Sequence, residues 1–132
     1  MKTLFICQAN TGRSQVAMSF YNQLHDQKAD SAGITVDIPG QQLFQRQAAI
    51  NILSVMQEQM IDMSNNVRTQ LTQAMADDYD RLIVMAEPEV IPTWLRDHKK
   101  TNIWTITDAK GLNLEATRTI VAQIKAQVKL LQ

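Results

Sequence analysis

Short apolar runs alternate along the chain with segments in which apolar residues recur every three or four positions. Residues 3–6 and Arg81–Met85 are runs of strand-forming residues, and the second is continuous enough to be buried on both faces of a sheet. Residues 31–36 and 101–106 are predicted to form two further strands.

The intervening segments have the spacing of helices. We predict helices from Ser14 to about residue 24 and over residues 48–60, 64–75, 88–99 and 114–131. Strands and helices therefore alternate, which is typical of βαβ units. The pattern predicts an α/β fold with a four-stranded parallel sheet and helices on both faces.

The amino-acid composition limits the number of domains and the classes of binding partner. The 132 residues are 45% apolar, enough for the core of one domain, which we expect to span residues 1–132. Thirteen basic residues balance thirteen acidic ones, so the chain lacks the excess of positive charge that is typical of a nucleic-acid-binding protein. Because no apolar run approaches the ~20 residues of a membrane span, we expect no membrane partner either.

Cys7 is the only cysteine, so the sequence contains no disulfide framework and no cysteine-based zinc motif. We therefore expect a reducing, cytoplasmic location.

The most specific chemistry follows the first strand, in residues 7–14, which we call the oxyanion loop. Cys7 ends the strand, where α/β sheets bind ligands, and Arg13 provides a planar fork for two oxygens of an oxyanion. Backbone N–H groups before a helix form an anion nest, and the same field favours the thiolate of Cys7. A lone cysteine after a strand is also compatible with a small buried apolar residue.

The sequence CQANTGRSQ resembles the signature loop of the low-molecular-weight protein tyrosine phosphatase family, which also contains thioredoxin-coupled arsenate reductases. The resemblance extends over nearly the whole chain. Residues 31–33 match the second-strand motif of the family and residues 62–64 match its link before the third helix. Trp104 and Asp108 fall where the family has its acid-bearing loop.

The resemblance implies a role for each loop residue. Cys7 is the expected nucleophile, and Asp108 the general acid that later acts as the base. The mechanism that the resemblance implies requires neither a metal ion nor an organic cofactor. Ser14 is expected to hydrogen-bond the sulfur and Asn10 to hold the shape of the loop. The expected oxyanion-binding residues are Gln8, Ala9, Asn10, Thr11, Gly12, Arg13 and Ser14.

Several positions depart from the family. Ala9 replaces a usual glycine and would be strained at a positive φ, and Gly12 replaces a second cysteine that could protect an oxidised Cys7. The usual Asp-Pro of the acid loop is replaced by Asp108-Ala109. The aromatic residues expected around a phosphotyrosine are not evident after Asp108, where Lys110 stands, so phosphotyrosine is not favoured as the substrate.

Three functions remain open. The first is a phosphomonoester hydrolase acting on a phosphorylated substrate through a cysteinyl-phosphate. The second is an arsenate reductase, whose relatives carry two further cysteines in the segment that corresponds to residues 85–92. That segment has no cysteine here, so an external thiol or redoxin would have to act as reductant. The third is a non-catalytic module that binds a small oxyanion.

Overall fold

The computed structural model describes residues 1–131, which form one sheet of four parallel strands flanked by helices. The strands are β1 (Thr3–Cys7), β2 (Asp30–Gly33), β3 (Arg81–Met85) and β4 (Thr101–Ile103), in the order β2-β1-β3-β4. All three neighbouring pairs are parallel. The predicted fold class is confirmed.

The helices are α1 (Arg13–Leu24), α2 (Ile50–Glu58), α3 (Gln73–Asp77), α4 (Thr93–Arg96) and α5 (Leu114–Lys129). Three short 3-10 turns cover Leu43–Gln45, Gln47–Ala49 and Pro88–Val90. Within residues 1–131, no helix combines the length and the apolar character that a bilayer span requires.

Side chains of the central strands alternate between two apolar cores, as the period of a strand requires. Phe5 and Ile83 belong to one core, which includes buried residues of α1, α2 and α5. Leu4, Ile6 and Leu82 belong to the other, which lies with Ala76 of α3 and Leu95 of α4. Full burial of an apolar side chain of this size contributes about 1.5–3 kcal/mol, so both helical layers stabilise the sheet.

The register of β1 places its last residue at the switch point of the sheet. The chain moves from β1 to one side to form β2 and then to the other side to form β3. Cys7 pairs with Gly33 on one side and with Met85 on the other. A crevice beyond the carboxyl ends of the strands is the usual ligand site of such sheets, and Cys7 opens into it.

The helix predicted from Ser64 is wrong. Ser64 does not cap a helix there, since its hydroxyl donates to Asp62. Backbone groups of the following segment instead bond distant parts of the chain, with Gly33 N–H donating to Thr69 O and Arg68 N–H donating to Gln41 O. These tertiary hydrogen bonds override the local apolar spacing, and α3 begins only after Thr72, whose hydroxyl accepts from Met75 N–H.

Other predicted elements are shorter than expected. Residue 60 lies beyond α2 at a positive φ, and the segment predicted as one helix over residues 88–99 is a 3-10 turn followed by the four residues of α4. The predicted strands over residues 31–36 and 101–106 end at Gly33 and Ile103. Both strands end at the carboxyl edge of the sheet, where the crevice lies.

Gly33 is required by the close approach of β2 to the oxyanion loop. A Cβ at this position would lie 2.8 Å from Asn10 N and 2.9 Å from Ala9 C, and backbone atoms have little freedom to move away. We expect Gly33→Ala to lower the free energy of unfolding by about 2 kcal/mol or more, measured in urea. Gly12→Ala is the matched control, because a Cβ there meets only Ile52 Cδ1 at 3.9 Å. Equal stabilities of the two variants would contradict the close approach.

Candidate active site

Cys7 and Ser14 form the buried centre of the site. The Sγ of Cys7 lies 3.0 Å from the Oγ of Ser14, as expected, and both residues are almost inaccessible to solvent. Cys7 is positioned by the end of β1 and Ser14 by the first turn of α1. A hydroxyl is able to donate to a sulfur anion, and Ser14 Oγ lies within reach of Cys7 Sγ for such a bond.

Asn10 fixes the shape of the oxyanion loop. It adopts a positive φ of 53°, and its fully buried amide nitrogen donates to Ser14 Oγ at 2.8 Å and to Ser31 Oγ at 3.0 Å. Its amide oxygen accepts from Thr69 N–H at 2.8 Å. The left-handed residue of the loop is therefore Asn10 and not Ala9, so the strain expected at Ala9 is absent.

The loop backbone retains its hydrogen-bonding capacity. Within residues 1–131, the N–H groups of residues 9–14 have no protein acceptor. Gly12 precedes α1 without a side-chain cap, so the first turn of that helix also keeps free donors. Unpaired donors at a helix N-terminus provide a site for an anion.

Arg13 connects the loop to two other strand ends. Its guanidinium lies 3.1 Å from Glu87 Oε2 through Nη1 and 3.2 Å from Glu87 Oε1 through Nη2. Nη1 also donates to Ile106 O at 2.9 Å. Hydrogen bonds from Arg13 hold the pKa of Glu87 below its ordinary value against the opposing effect of partial burial, so Glu87 is ionised at neutral pH.

Asp108 faces the same guanidinium. Its Oδ2 lies 3.8 Å from Arg13 Nη2, and its Oδ1 accepts from Lys110 N–H at 3.0 Å. The bond from Arg13 to Ile106 O anchors this loop two residues before the acid. The loop therefore has a fixed point although it lacks the proline of the family.

The site opens into a cleft of about 940 Å³ that contains Cys7, Arg13 and Asp108 together. Its wall combines amide, basic and apolar side chains, and no aromatic side chain among the described residues lines it. The amide and basic residues beyond the oxyanion loop are Gln41, Gln45, Arg46, Gln47, Asn51 and Lys110, and the larger apolar ones are Ile50, Ile52 and Leu112. Asn10 and Ser14 lie behind the loop and support it rather than line the cleft.

Arg68 was missed by sequence reasoning. It is 1% exposed, and its Nε and Nη2 donate to Ala9 O at 3.1 and 2.9 Å. Its Nη1 contacts Asp37 Oδ1 at 2.8 Å. No local pattern marks this arginine, because residues 64–75 have the spacing of a helix. Glu87 was also missed and lies two residues beyond β3. Because α/β sheets bind ligands beyond the carboxyl ends of their strands, the argument that identified Cys7 applies to Glu87 as well.

No group of three or more candidate metal ligands comes together within the described part of the chain.

Comparison with known proteins identifies the family of the chain. The family model described as low molecular weight phosphotyrosine protein phosphatase matches residues 2–131. The chain belongs to this family. A curated relative, the glutaredoxin arsenate reductase of Synechocystis sp., is 30% identical over 130 residues, which are 97% of this chain and 93% of the relative.

Solved structures of the low-molecular-weight phosphatase family share the fold. The tyrosine phosphatase Wzb of Escherichia coli K30, in complex with sulphate, has a TM-score of 0.82 at 22% identity, covering 97% of this chain and 93% of its own. An arsenate reductase in the phosphate-binding state has a TM-score of 0.77 at 27% identity, with coverages of 97% and 93%. The chain is thus similar to both kinds of enzyme within the family.

Replacement of Asn10 tests its role in the loop. We expect Asn10→Ala to lower the free energy of unfolding by about 2–4 kcal/mol, because it leaves buried partners unsatisfied. The variant should also lose the rise in Tm that inorganic phosphate gives the wild type. Asn22→Ala is the control, since Asn22 bonds both backbone groups of Ala29 away from the cleft. That variant should lose stability and keep the phosphate effect; an undiminished effect in Asn10→Ala would contradict the assignment.

Asp37 predicts a pH dependence of stability. The hydrogen bond from Arg68 lowers the pKa of Asp37 from 3.8 to about 2. A depressed pKa means that the carboxylate stabilises the fold above its ordinary pKa and that this contribution is lost as the pH falls through about 2. Asp37→Asn should therefore be less stable than the wild type at pH 7, measured in urea, with the difference shrinking toward pH 2. The control Asp26→Asn alters an exposed carboxylate and should follow the wild type throughout.

Proposed function

We propose that the chain is a phosphomonoester hydrolase that acts through a cysteinyl-phosphate on Cys7. The observation that carries the proposal is the cleft itself, in which the thiol beside Ser14, the Arg13 guanidinium and the Asp108 carboxyl line one space. These are a nucleophile, an oxyanion clamp and a proton donor. Together they are able to support phosphoryl transfer through a covalent intermediate.

In the first step, the Cys7 thiolate attacks phosphorus in line with the ester oxygen. The S–P bond forms, the P–O bond to the leaving group breaks, and the leaving oxygen takes the proton of Asp108. Arg13 and the free N–H groups of residues 9–14 stabilise the equatorial oxygens, on which the transferred charge is spread.

In the second step, water attacks the cysteinyl-phosphate. Asp108, now a carboxylate, accepts a proton from that water as the new O–P bond forms. The S–P bond breaks, inorganic phosphate leaves and the Cys7 thiolate is regenerated. Ser14 supports both steps, because its hydroxyl at 3.0 Å stabilises the sulfur whenever it carries negative charge.

The wall of the cleft bears on the substrate class. Amide and basic side chains line it together with Ile50, Ile52 and Leu112, but no aromatic side chain of the described residues lies there to pack against a phenyl ring. We therefore propose a small phosphoester rather than phosphotyrosine. We place the reaction in the cytoplasm, because a single unprotected catalytic thiol stays active only in a reducing compartment.

Arsenate reduction is the second candidate, favoured by the 30% identity to the arsenate reductase of Synechocystis sp.. Cys7 would displace water from arsenate to form an S–As(V) bond. An external thiol would then attack the Cys7 sulfur, forming a mixed disulfide as the S–As bond breaks and its electron pair reduces arsenic to As(III). A second external thiol would release Cys7, since the chain has no other cysteine.

Hydrolysis of an activated aryl phosphate between pH 5 and 8, without added thiol, tests the proposal. We expect turnover by the wild type that is inhibited competitively by arsenate and abolished in Cys7→Ser. Asp108→Asn should lose about 10²-fold or more in kcat with a poor leaving group, because the proton donor is gone. Asp97→Asn, which changes an exposed aspartate at the end of α4, is the matched control and should retain full activity.

The other outcomes separate the alternatives. Arsenite production that depends on an added low-molecular-weight thiol or redoxin, with no phosphoester hydrolysis, would replace the phosphatase by the reductase. Binding of phosphate or arsenate that is undisturbed in Asp108→Asn, with neither kind of turnover, would identify a non-catalytic oxyanion-binding module.

A further inference from the structure

We propose that Glu87 is a positioning residue that holds the Arg13 guanidinium and limits the positive charge that Arg13 offers to an oxyanion. The inference rests on the proposed function in so far as Arg13 binds the substrate. Glu87 would keep the affinity for phosphate, which is also the product, below the value that Arg13 alone would give.

The contacts are those of a two-point clamp. Each carboxylate oxygen of Glu87 takes one terminal nitrogen of Arg13, at 3.1 and 3.2 Å. This parallel arrangement fixes the plane of the guanidinium as well as its position. Of the carboxylates in the cleft region, Glu87 is thus nearer to Arg13 than Asp108, which lies at 3.8 Å.

The fold places Glu87 rigidly. The register that pairs Cys7 with Met85 brings the residues after β3 beside the start of the oxyanion loop. Glu87 is the N-cap of the 3-10 turn Pro88–Val90, and Pro88 restricts the backbone immediately after it. The carboxylate therefore comes to Arg13 from a second strand end, independently of the loop that carries Asp108.

Because the Arg13 side chain is buried, its positive charge needs the carboxylate of Glu87 as a counter-ion. The Arg13 side chain is 3% exposed and that of Glu87 is 41% exposed. A nearly buried cation needs a counter-ion, whereas a half-exposed carboxylate is able to remain hydrated without one. Glu87 thus stabilises Arg13 before any substrate binds.

The clamp has a consequence for ligand binding. A phosphate that enters the cleft shares the guanidinium with Glu87, and the two anions repel each other. Arg13 lines the same cleft as Cys7, so any positive charge of Arg13 that Glu87 does not compensate also acts on the sulfur. Removing the charge of Glu87 should therefore strengthen phosphate binding and favour the thiolate. A carboxylate with a purely structural role would have neither effect.

The test compares Glu87→Gln, Glu87→Asp and the matched control Glu89→Gln, which alters an exposed glutamate on the same turn. Three quantities are measured on the full chain. These are the Kd of inorganic phosphate from its protection of Cys7 against alkylation, the midpoint of the alkylation rate against pH, and KM and kcat for an aryl phosphate.

For Glu87→Gln we expect phosphate Kd to fall by about threefold or more and the alkylation midpoint to move to lower pH, because one negative charge is removed. KM and kcat should fall together, since product release slows and residue 87 accepts one hydrogen bond from the guanidinium instead of two. Glu87→Asp keeps the charge but is one methylene shorter. It should keep the wild-type midpoint and lose kcat. Glu89→Gln should match the wild type in all three quantities.

Two results would overturn the inference: behaviour of Glu87→Gln identical to that of Glu89→Gln, or weaker phosphate binding with an unchanged alkylation midpoint. A wild type that is protected by phosphate but hydrolyses no ester would overturn the proposed function alone, and the binding and alkylation measurements would still decide the role of Glu87. If inorganic phosphate does not protect Cys7 of the wild type against alkylation, both the proposed function and the role of Glu87 are overturned.

Discussion

The structure depends on keeping the backbone donors of the oxyanion loop unpaired. A loop whose N–H groups find no protein acceptor is costly, and Asn10 adds the cost of a left-handed backbone. The fold offsets both through the far side of the loop. There the buried Asn10 amide bonds four neighbours, Ser14, Gln15, Ser31 and Thr69. Arg68 adds two hydrogen bonds to the carbonyl of Ala9. The cost of the free donors on the ligand side is thus offset by hydrogen bonds to the groups behind the loop.

The sequence predicted the parts of the molecule that depend on local patterns. Arg81–Met85 coincides with β3, since a continuous apolar run of that length has few alternatives to a buried strand. Cys7, Arg13 and Asp108 were found from one loop and a family resemblance, and the structure brings them to one cleft. The pairing of Ser14 with the sulfur was also expected and is present in the structure.

The failures have a common physical origin. Residues 64–72 have helical apolar spacing, but their backbone groups bond Gly33 and Gln41, so contacts distant in sequence determine their conformation. Arg68 and Glu87 act through partners 59 and 74 residues away, and no periodicity encodes such a distance. The backbone strain predicted at Ala9 is absent for a related reason. The positive φ belongs to the next residue, where an asparagine tolerates it and uses its side chain to hold it.

The contacts of Arg13 have a consequence for the interpretation of related sequences. Arg13 follows β1, bonds Glu87 after β3 and bonds Ile106 after β4, so one side chain ties together the ends of three strands. Arg13 therefore contributes to the stability of the fold as well as to the proposed binding of an oxyanion. A related chain without activity would have a structural reason to contain this arginine, and the same holds for Asn10. In related chains, Asp108 and Cys7 are therefore better indicators of an active enzyme than Arg13.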